Sequence, residues 1–140
     1  MNEPVPLSPD VRRQIEALLP FLPMLESRHA GEWRGGERQP DGSITMPYFE
    51  YGDGMLAFIR ACGENGWIEV FEWPAWAEEA RRLHDDPATL NSADVPTIRK
   101  LLTLHIRNDR FNEGHLAAMV EDGHLAAVVR RLEQLRAASQ

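Results

Sequence analysis

The 140-residue sequence contains few of the residues that several forms of protein chemistry require. It has one cysteine, Cys62, and one lysine, Lys100. A lone cysteine forms neither an internal disulfide nor a thiolate metal cage, and it favours a reducing, cytoplasmic location. The lone lysine, with no glycine-rich loop before it, is the single candidate for Schiff-base or phosphate-loop chemistry.

The short motifs that mark common catalytic sites are also missing. The sequence contains no GxSxG, no GxGxxG followed by an acid, no CxxC and no HExxH. Its five serines, at positions 8, 27, 43, 92 and 139, fall at expected caps and turns or at the end of the chain. No nucleophile therefore has an evident base. We predict no metal and no cofactor, and whether the protein is an enzyme stays open.

Long apolar runs are absent too. The longest, ALLPFLPML at residues 17–25, carries two prolines and is too short to cross a bilayer. The first ten residues, MNEPVPLSPD, lack the basic and apolar regions of a secretory signal. We therefore expect a cytoplasmic protein without a membrane segment.

The composition that remains is that of a globular chain with an acidic balance. Hydrophobic residues make up 43% and charged residues 26%, which is enough for one domain with a core. The net charge of −7 divides into −9 over residues 1–96 and +2 over residues 97–140. An acidic balance argues against nucleic-acid binding, so we rank last a nucleic-acid surface formed by Lys100, Arg107, Arg130 and Arg131.

The spacing of apolar residues predicts a mainly α fold, a compact bundle of five or six short helices forming one domain over residues 1–140. Ser8, Pro9 and Asp10 have the hydroxyl, proline and acid that are typical of a helix start. Later helices are predicted over five stretches: from Asp53 as a cap to Gly66, over residues 71–87, from Ser92 or Asp94, over residues 111–121, and through the C-terminal segment from about residue 125.

The helix that opens at Ser92 or Asp94 has an apolar stripe that includes His105. Lys100, Thr103 and Arg107 are predicted to face outward from it. We expect His105 to be a neutral core imidazole that is hydrogen-bonded to a neighbour.

Residues 29–45 are rich in glycine, proline and charge, and they predict a flexible loop or a hairpin near residues 31–50. Asp41-Gly42 is a hairpin turn signal. Trp33 before the turn, and Ile44, Met46 and Tyr48 after it, are the apolar residues of two short predicted strands.

The pentapeptide GHLAA occurs at residues 114–118 and 123–127, each time after an acidic residue. Alanine pairs favour helices over strands, so both copies are predicted to lie at helix ends. His105, His115 and His124 are ten and nine positions apart, whereas two metal ligands on one helix need a spacing of three or four. A metal site would have to be assembled by the fold.

Charged residues gather at the predicted junction before the first GHLAA, and two interpretations stay open. In the structural one, Arg110 ties two helices together while Phe111 fills the core. In the functional one, Arg110, Glu113 and His115 form an anion-binding or acid–base pocket. These three residues are the catalytic candidates.

An aromatic cluster of four large rings lies within residues 67–76. Trp67, Phe71, Trp73 and Trp76 are predicted to pack in the core, because large rings dominate protein interiors. The alternative is an exposed partner surface, for which Trp73, Trp76 and the nearby basic Arg107 are the binding candidates.

Two motifs resemble a family of small bacterial and archaeal proteins catalogued only as a domain of unknown function. The first is FEWPAW at residues 71–76, where Glu72 replaces the aspartate more usual in the family. The second is LLTLHIRNDRFNEGHL at residues 101–116, and the similarity extends over most of residues 33–135. The resemblance implies no activity. It marks four positions for first attention, namely Arg107, Arg110, Glu113 and His115.

The leading prediction is a non-enzymatic helical module that binds a protein partner or itself. It depends on the missing catalytic motifs and on the tryptophan-rich segment. The alternative is a small enzyme or anion-binding protein that uses Arg110, Glu113 and His115.

Overall fold

The computed structural model describes residues 6–139, which are mainly α-helical; residues 1–5 of the segment tested for a secretory signal lie outside this range. A small antiparallel hairpin joins β1 (Gly31–Arg34) to β2 (Tyr48–Tyr51). The predicted mainly α fold with a hairpin near residues 31–50 is confirmed. The helices are α1 (Pro9–Leu18), α2 (Leu22–Glu26), α3 (Asp53–Glu64), α4 (Ala77–Asp85), α5 (Pro87–Asn91), α6 (Val95–Asn108), α7 (His115–Glu121) and α8 (His124–Ala138).

Two of the predicted helix starts are capped by the expected side chains. Ser8 Oγ accepts a hydrogen bond from the Val11 N–H (3.1 Å), and Asp94 rather than Ser92 accepts one from the Thr97 N–H (2.9 Å). The expected cap at Asp53 is wrong, because Asp53 is itself the first residue of α3 and follows Gly52.

Prolines divide the chain more finely than the apolar spacing indicates. Pro20 lies in a 3-10 turn between α1 and α2, and Pro74 lies in another 3-10 turn that precedes α4. Pro87 does not merely follow α4 but starts the short helix α5. Proline fixes φ and has no N–H, so it favours the first turn of a new helix over the interior of an old one.

Helices α6 and α8 form the centre of the fold. Residues 101–105 of α6 are all buried, and α8 contacts α1, α2, α5, α6 and α7. The prediction that Thr103 faces outward is wrong: its hydroxyl lies 2.9 Å from the Arg99 carbonyl oxygen and accepts a hydrogen bond from the Glu69 N–H (3.1 Å). These backbone partners satisfy the hydroxyl inside the core.

The end of α3 returns an aromatic ring to the core. Gly66 has φ +76°, and this left-handed conformation allows the next residue to fold back. The Trp67 N–H donates to the Cys62 carbonyl oxygen (3.0 Å), and its ring nitrogen donates to the Gln14 carbonyl oxygen (2.9 Å). The prediction that Trp67 packs in the core is confirmed.

The hairpin is attached to the junction between α6 and α7 by two carboxylates. Glu113 accepts a hydrogen bond from the Phe49 N–H (2.7 Å), and Asp109 accepts one from the Tyr51 hydroxyl (2.7 Å). Both contacts bridge residues far apart in sequence, so this junction positions the hairpin against the helices.

Two findings bear on reactivity and on membranes. Burial raises the pKa of the Cys62 thiol to about 12, which makes it a poor nucleophile. None of the helices formed by residues 6–139 has the length and apolar character that crossing a bilayer requires.

Candidate functional site

The two GHLAA segments build equivalent helix starts. Gly114 and Gly123 have φ of +81° and +85°, and each immediately precedes a helix. His115 is therefore the first residue of α7, and His124 is the first residue of α8. The prediction that these segments lie at helix ends is confirmed. The helix expected over residues 111–121 starts only at His115, because the left-handed Gly114 interrupts it.

Four of the five histidines lie in one contiguous row, which we call the histidine chain (His115, His105, His124 and His84). His105 Nδ1 lies 3.0 Å from His115 Nε2, and His105 Nε2 lies 3.1 Å from His124 Nε2. The His84 ring packs edge-on against His124, with centroids 4.8 Å apart. The two helix starts therefore bring one imidazole to each side of His105.

Three members of the histidine chain are held neutral at pH 7. Burial lowers the pKa of His105 well below its usual range, lowers that of His115, and lowers that of His124 to about 4. A neutral imidazole has one donor and one acceptor nitrogen, so His105 donates to one neighbour and accepts from the other. The expectation of a neutral, hydrogen-bonded His105 agrees with this geometry.

His84 differs from the other three because two carboxylates hold it. Its Nε2 lies 2.7 Å from Asp122 Oδ2, and its Nδ1 lies 2.7 Å from Asp85 Oδ1. These hydrogen bonds, that to Asp122 first, raise the pKa of His84. Asp122 also accepts the His124 N–H at 2.9 Å. One carboxylate thus favours a cation at His84 and fixes the backbone beside the neutral His124.

The histidine chain reaches the surface in two depressions, and His84 borders both. The first has a volume of about 240 Å³ and lies between α4, α6 and α7. The second, of about 330 Å³, lies where α4 and α5 meet the start of α8, and its wall is largely apolar. The polar residues around the first are Arg81, His84, His105, Asn108 and His115.

Sequence reasoning missed His84, Arg81 and Asn108 as members of this site. His84 and Arg81 lie on α4, more than twenty positions before His105, so no spacing along one helix connects them with the other histidines. Only the packing of α4 against α6 brings them there. The one available signal was that His84 is followed by two aspartates.

The imidazoles do not converge on a single point. Each nitrogen of His105 faces a different neighbour, so His115 and His124 approach it from opposite sides. Among residues 6–139, no group of three or more His, Cys, Asp or Glu side chains has a geometry that could hold a metal ion.

The three predicted catalytic candidates occupy different surroundings. Glu113 binds the hairpin backbone, and His115 belongs to the histidine chain. Arg110 is exposed, and its guanidinium forms no hydrogen bond or ion pair with any other described side chain or backbone group. No hydrogen bond or ion pair within residues 6–139 connects these three residues with one another.

Phe111 does not fill the core as the structural interpretation required. It is 75% exposed, and its ring lies 6.0 Å from that of Trp73. The reason is that α6 ends at Asn108 and the next residues form a turn that faces outward. Phe111 therefore covers Trp73 and not the interior.

The predicted binding candidates on the aromatic segment are half-buried. Trp73 lies under Phe111, and Trp76 packs edge-on against Phe71 with centroids 6.1 Å apart. Arg107, the third candidate, is also half-buried. Within the aromatic cluster only Trp67 is fully buried, so the cluster is part core and part surface.

The basic residues ranked last for nucleic-acid binding have separate partners. Arg130 pairs with Glu26 (3.1 Å), and Arg131 Nε donates to the Ala93 carbonyl oxygen (2.8 Å). The Lys100 ammonium lies 5.8 Å from the centre of the Phe71 ring.

Of the seven large hydrophobic residues that are exposed within residues 6–139, four lie in the hairpin and its connection, and we call them the hairpin apolar surface. The Trp33 ring covers Gly114, where an added Cβ would lie 2.6 Å from Cζ2 of the ring. The surface therefore starts beside the junction that carries the histidine chain. Its residues are Trp33 (57% exposed), Ile44 (60%), Met46 (80%) and Tyr48 (47%).

Comparison with known proteins gives a family and no described activity. No curated protein and no solved structure matches the chain. The profile described as "Family of unknown function (DUF6508)" matches residues 11–138, which is nearly the whole sequence and includes both motifs on which the resemblance depended. The chain belongs to this family of unknown function.

Proposed function

We propose that the chain is a helical interaction module that associates, with a second copy or with another protein, through the hairpin apolar surface. The observation that carries this proposal is the exposure of four large apolar side chains within the hairpin: Trp33 and Tyr48 on its strands, and Ile44 and Met46 on the connection between them. A concentration of exposed apolar side chains in one region of a protein is a feature of interaction sites. We expect the association to take place in the cytoplasm, since Cys62 is a free thiol.

The buried polar groups support the same choice. Every buried side-chain nitrogen and oxygen in residues 6–139 has a hydrogen-bond partner, so the interior requires no ligand to satisfy it. The hairpin apolar surface is different, because covering apolar area contributes roughly 25 cal/mol per Å². A partner would therefore contribute more stabilising free energy at the hairpin apolar surface than at the buried polar groups.

The charges around the hairpin suit a polar rim. Arg34 pairs with Glu50 (2.8 Å) and with Glu32 (3.3 Å), and all three side chains are exposed. Interfaces commonly combine an apolar centre with such a rim. Each strand of a two-stranded sheet also keeps one unpaired edge, which favours association.

The proposal is tested by replacing the two most exposed hydrophobic residues of the hairpin. The double variant Ile44→Ser, Met46→Ser removes apolar area without touching the core. The matched control is Leu56→Ser, Val70→Ser, which changes two exposed apolar residues outside the hairpin. Sedimentation velocity over a concentration series is expected to show association of the wild type and the control. The hairpin variant should remain monomeric with an unchanged melting temperature.

A wild type that is monomeric at every concentration excludes the second copy and leaves another protein as the occupant. Crosslinking in cells is then compared among the three chains. A protein joined to the wild type and the control, but not to the hairpin variant, supports the proposal. If the hairpin variant loses neither self-association nor any crosslinked protein, the interaction function is rejected.

The second candidate is a small enzyme or anion-binding protein that uses Arg110, Glu113 and His115. One observation favours it: His115 borders the depression between α4, α6 and α7. Arg110 and Glu113 do not line that depression. Under this candidate, Arg110→Met should weaken the binding of small anions as much as His115→Ala does, and equilibrium titration measures both.

A further inference from the structure

The depression between α4, α6 and α7 combines a small volume with several hydrogen-bond donors. Its volume of about 240 Å³ equals that of about eight waters at roughly 30 Å³ each. Apolar residues, among them Leu104 and Met119, form part of its wall. It therefore fits a small molecule and is too small for a drug-sized one.

The donors around this depression suit an anion. The Arg81 guanidinium is cationic and lines the depression, whereas both ring nitrogens of His84 already bind carboxylates, those of Asp85 and Asp122, so His84 contributes charge and no free donor. Asn108 Oδ1 accepts a hydrogen bond from Asn112 (2.7 Å), which leaves the Asn108 NH₂ group as a donor. Arginine in particular matches the geometry of carboxylate and phosphoryl oxygens.

His115 provides the position at which such an anion meets the histidine chain. Its Nε2 contacts His105, while its Nδ1 has no hydrogen-bond partner among the described residues. The residue is half-buried and lines the depression. A protonated Nδ1 would donate to a bound oxygen atom.

We propose that this depression, bordered by Arg81, His84, Asn108 and His115, binds a small carboxylate or phosphoryl oxyanion, and that His115 takes up a proton from solvent when it binds. This site is independent of the association through the hairpin. It shares only His115 with the three catalytic candidates predicted from the sequence.

The proton uptake follows from the charges that face the chain. Without a ligand, burial lowers the pKa of His115 and favours its neutral form, and His84 adds to the cost of a further positive charge. The carboxylates of Asp109 and Asp122 act in the opposite direction on His115. Asp85 pairs with His84 (2.7 Å), and Glu78 pairs with Arg81 (2.8 Å). An anion next to His115 favours the imidazolium, so binding and protonation strengthen each other.

The test uses sulfate and acetate as probes, because neither changes its charge between pH 6 and pH 8. Binding is followed by the imidazole resonances in ¹H–¹⁵N spectra, in which the exposed His29 is an internal reference. The variants are Arg81→Gln and His115→Asn. The matched control is Arg82→Gln, since Arg82 also lies on α4 and pairs with a glutamate three residues earlier, Glu79.

We expect a saturable shift of the His115 resonances and an affinity that falls as the pH rises from 6 to 8. Arg81→Gln should weaken binding at least about tenfold, the effect of losing one charge-assisted hydrogen bond, whereas Arg82→Gln should not. Saturable binding of sulfate alone would identify a phosphoryl ligand, and saturable binding of acetate alone would identify a carboxylate. Either result supports the proposal.

Three results would overturn it: no saturable shift with either probe, an equal loss in the Arg82→Gln control, or an affinity that does not depend on pH. If His115→Asn fails to fold, Arg81→Gln decides the outcome, since the Arg81 side chain is exposed and pairs with the equally exposed Glu78.

Discussion

The three neutral residues of the histidine chain predict that the folded protein loses stability in mild acid. His124, His105 and His115 have lowered pKa values in the folded protein. Protonation therefore favours the unfolded chain. Their contribution is fully present above pH 6.5, the ordinary histidine value, and is lost as the pH falls below it. His84 has the opposite sign, because its raised pKa stabilises the fold most below pH 6.5.

The magnitude can be worked out for His124. A folded pKa of about 4 against about 6.5 in the unfolded chain gives a loss of about 2 kcal/mol between pH 7.5 and pH 5.0. His105 adds to the loss in the same direction. His84 is partly exposed to solvent, so its opposing contribution is screened and smaller. A net loss of about 2 kcal/mol or more is expected.

Urea unfolding followed by tryptophan fluorescence measures this loss. With an unfolding slope of about 1–3 kcal/mol per molar urea, the midpoint should fall by about 1 M between pH 7.5 and pH 5.0. His124→Asn should reduce the pH dependence, whereas His29→Ala, which replaces an exposed histidine, should retain it. A midpoint that is flat over this range, or a His124→Asn variant with the full wild-type dependence, would refute the reasoning.

Three further predictions concern backbone, hydrogen bonding and reactivity. Gly114→Ala should lower the free energy of unfolding by about 2 kcal/mol or more in urea titrations, because φ is +81° and the Trp33 ring occupies the space of an added Cβ. The control Gly63→Ala, in open space on α3, should raise the free energy of unfolding by about 0.5–1 kcal/mol. The Tyr51 hydroxyl donates to Asp109 and accepts from the Ala117 N–H, so Tyr51→Phe should lower the free energy of unfolding by about 1–3 kcal/mol in the same assay. An equal loss in Tyr48→Phe, a control at an exposed tyrosine, would contradict this. Cys62 should react with a thiol reagent only as fast as the protein unfolds, and a rapid reaction in the native state would show that the thiol is accessible.

The parts of the fold that local chemistry determines could be predicted from the sequence. Ser8 and Asp94 cap helices because a short polar side chain reaches the free N–H groups of the first turn. Gly66 ends a helix because only glycine adopts its backbone conformation without strain. Both signals act within a few residues.

The errors arose where partners distant in sequence decide the outcome. Thr103 faces inward because the backbone of Glu69 meets its hydroxyl there. Phe111 faces solvent because the outward turn after α6 places it over Trp73. Neither contact leaves a trace in the spacing of apolar residues.

In the candidate site too, local chemistry could be predicted from the sequence, whereas contacts between distant segments could not. The repeated GHLAA segments predicted helix ends, and the left-handed Gly114 and Gly123 set where α7 and α8 begin. The contacts of His115 and His124 with His105, and the position of His84 beside them, depend on how α4, α6, α7 and α8 pack together. The functions assigned to Arg110, Glu113 and His115 remain predictions.

The imidazole contacts of His105 and the hairpin contacts of Asp109 and Glu113 close loops of very different length. The imidazole contacts of His105 span ten and nineteen positions, whereas the hairpin contacts made by Tyr51 and Phe49 span 58 and 64. Closing a loop of 64 residues costs about 1.6 kcal/mol more in chain entropy than closing one of ten. The hairpin is therefore the portion that can detach first, and amide exchange should reveal β2 opening while the helices around His105 stay closed.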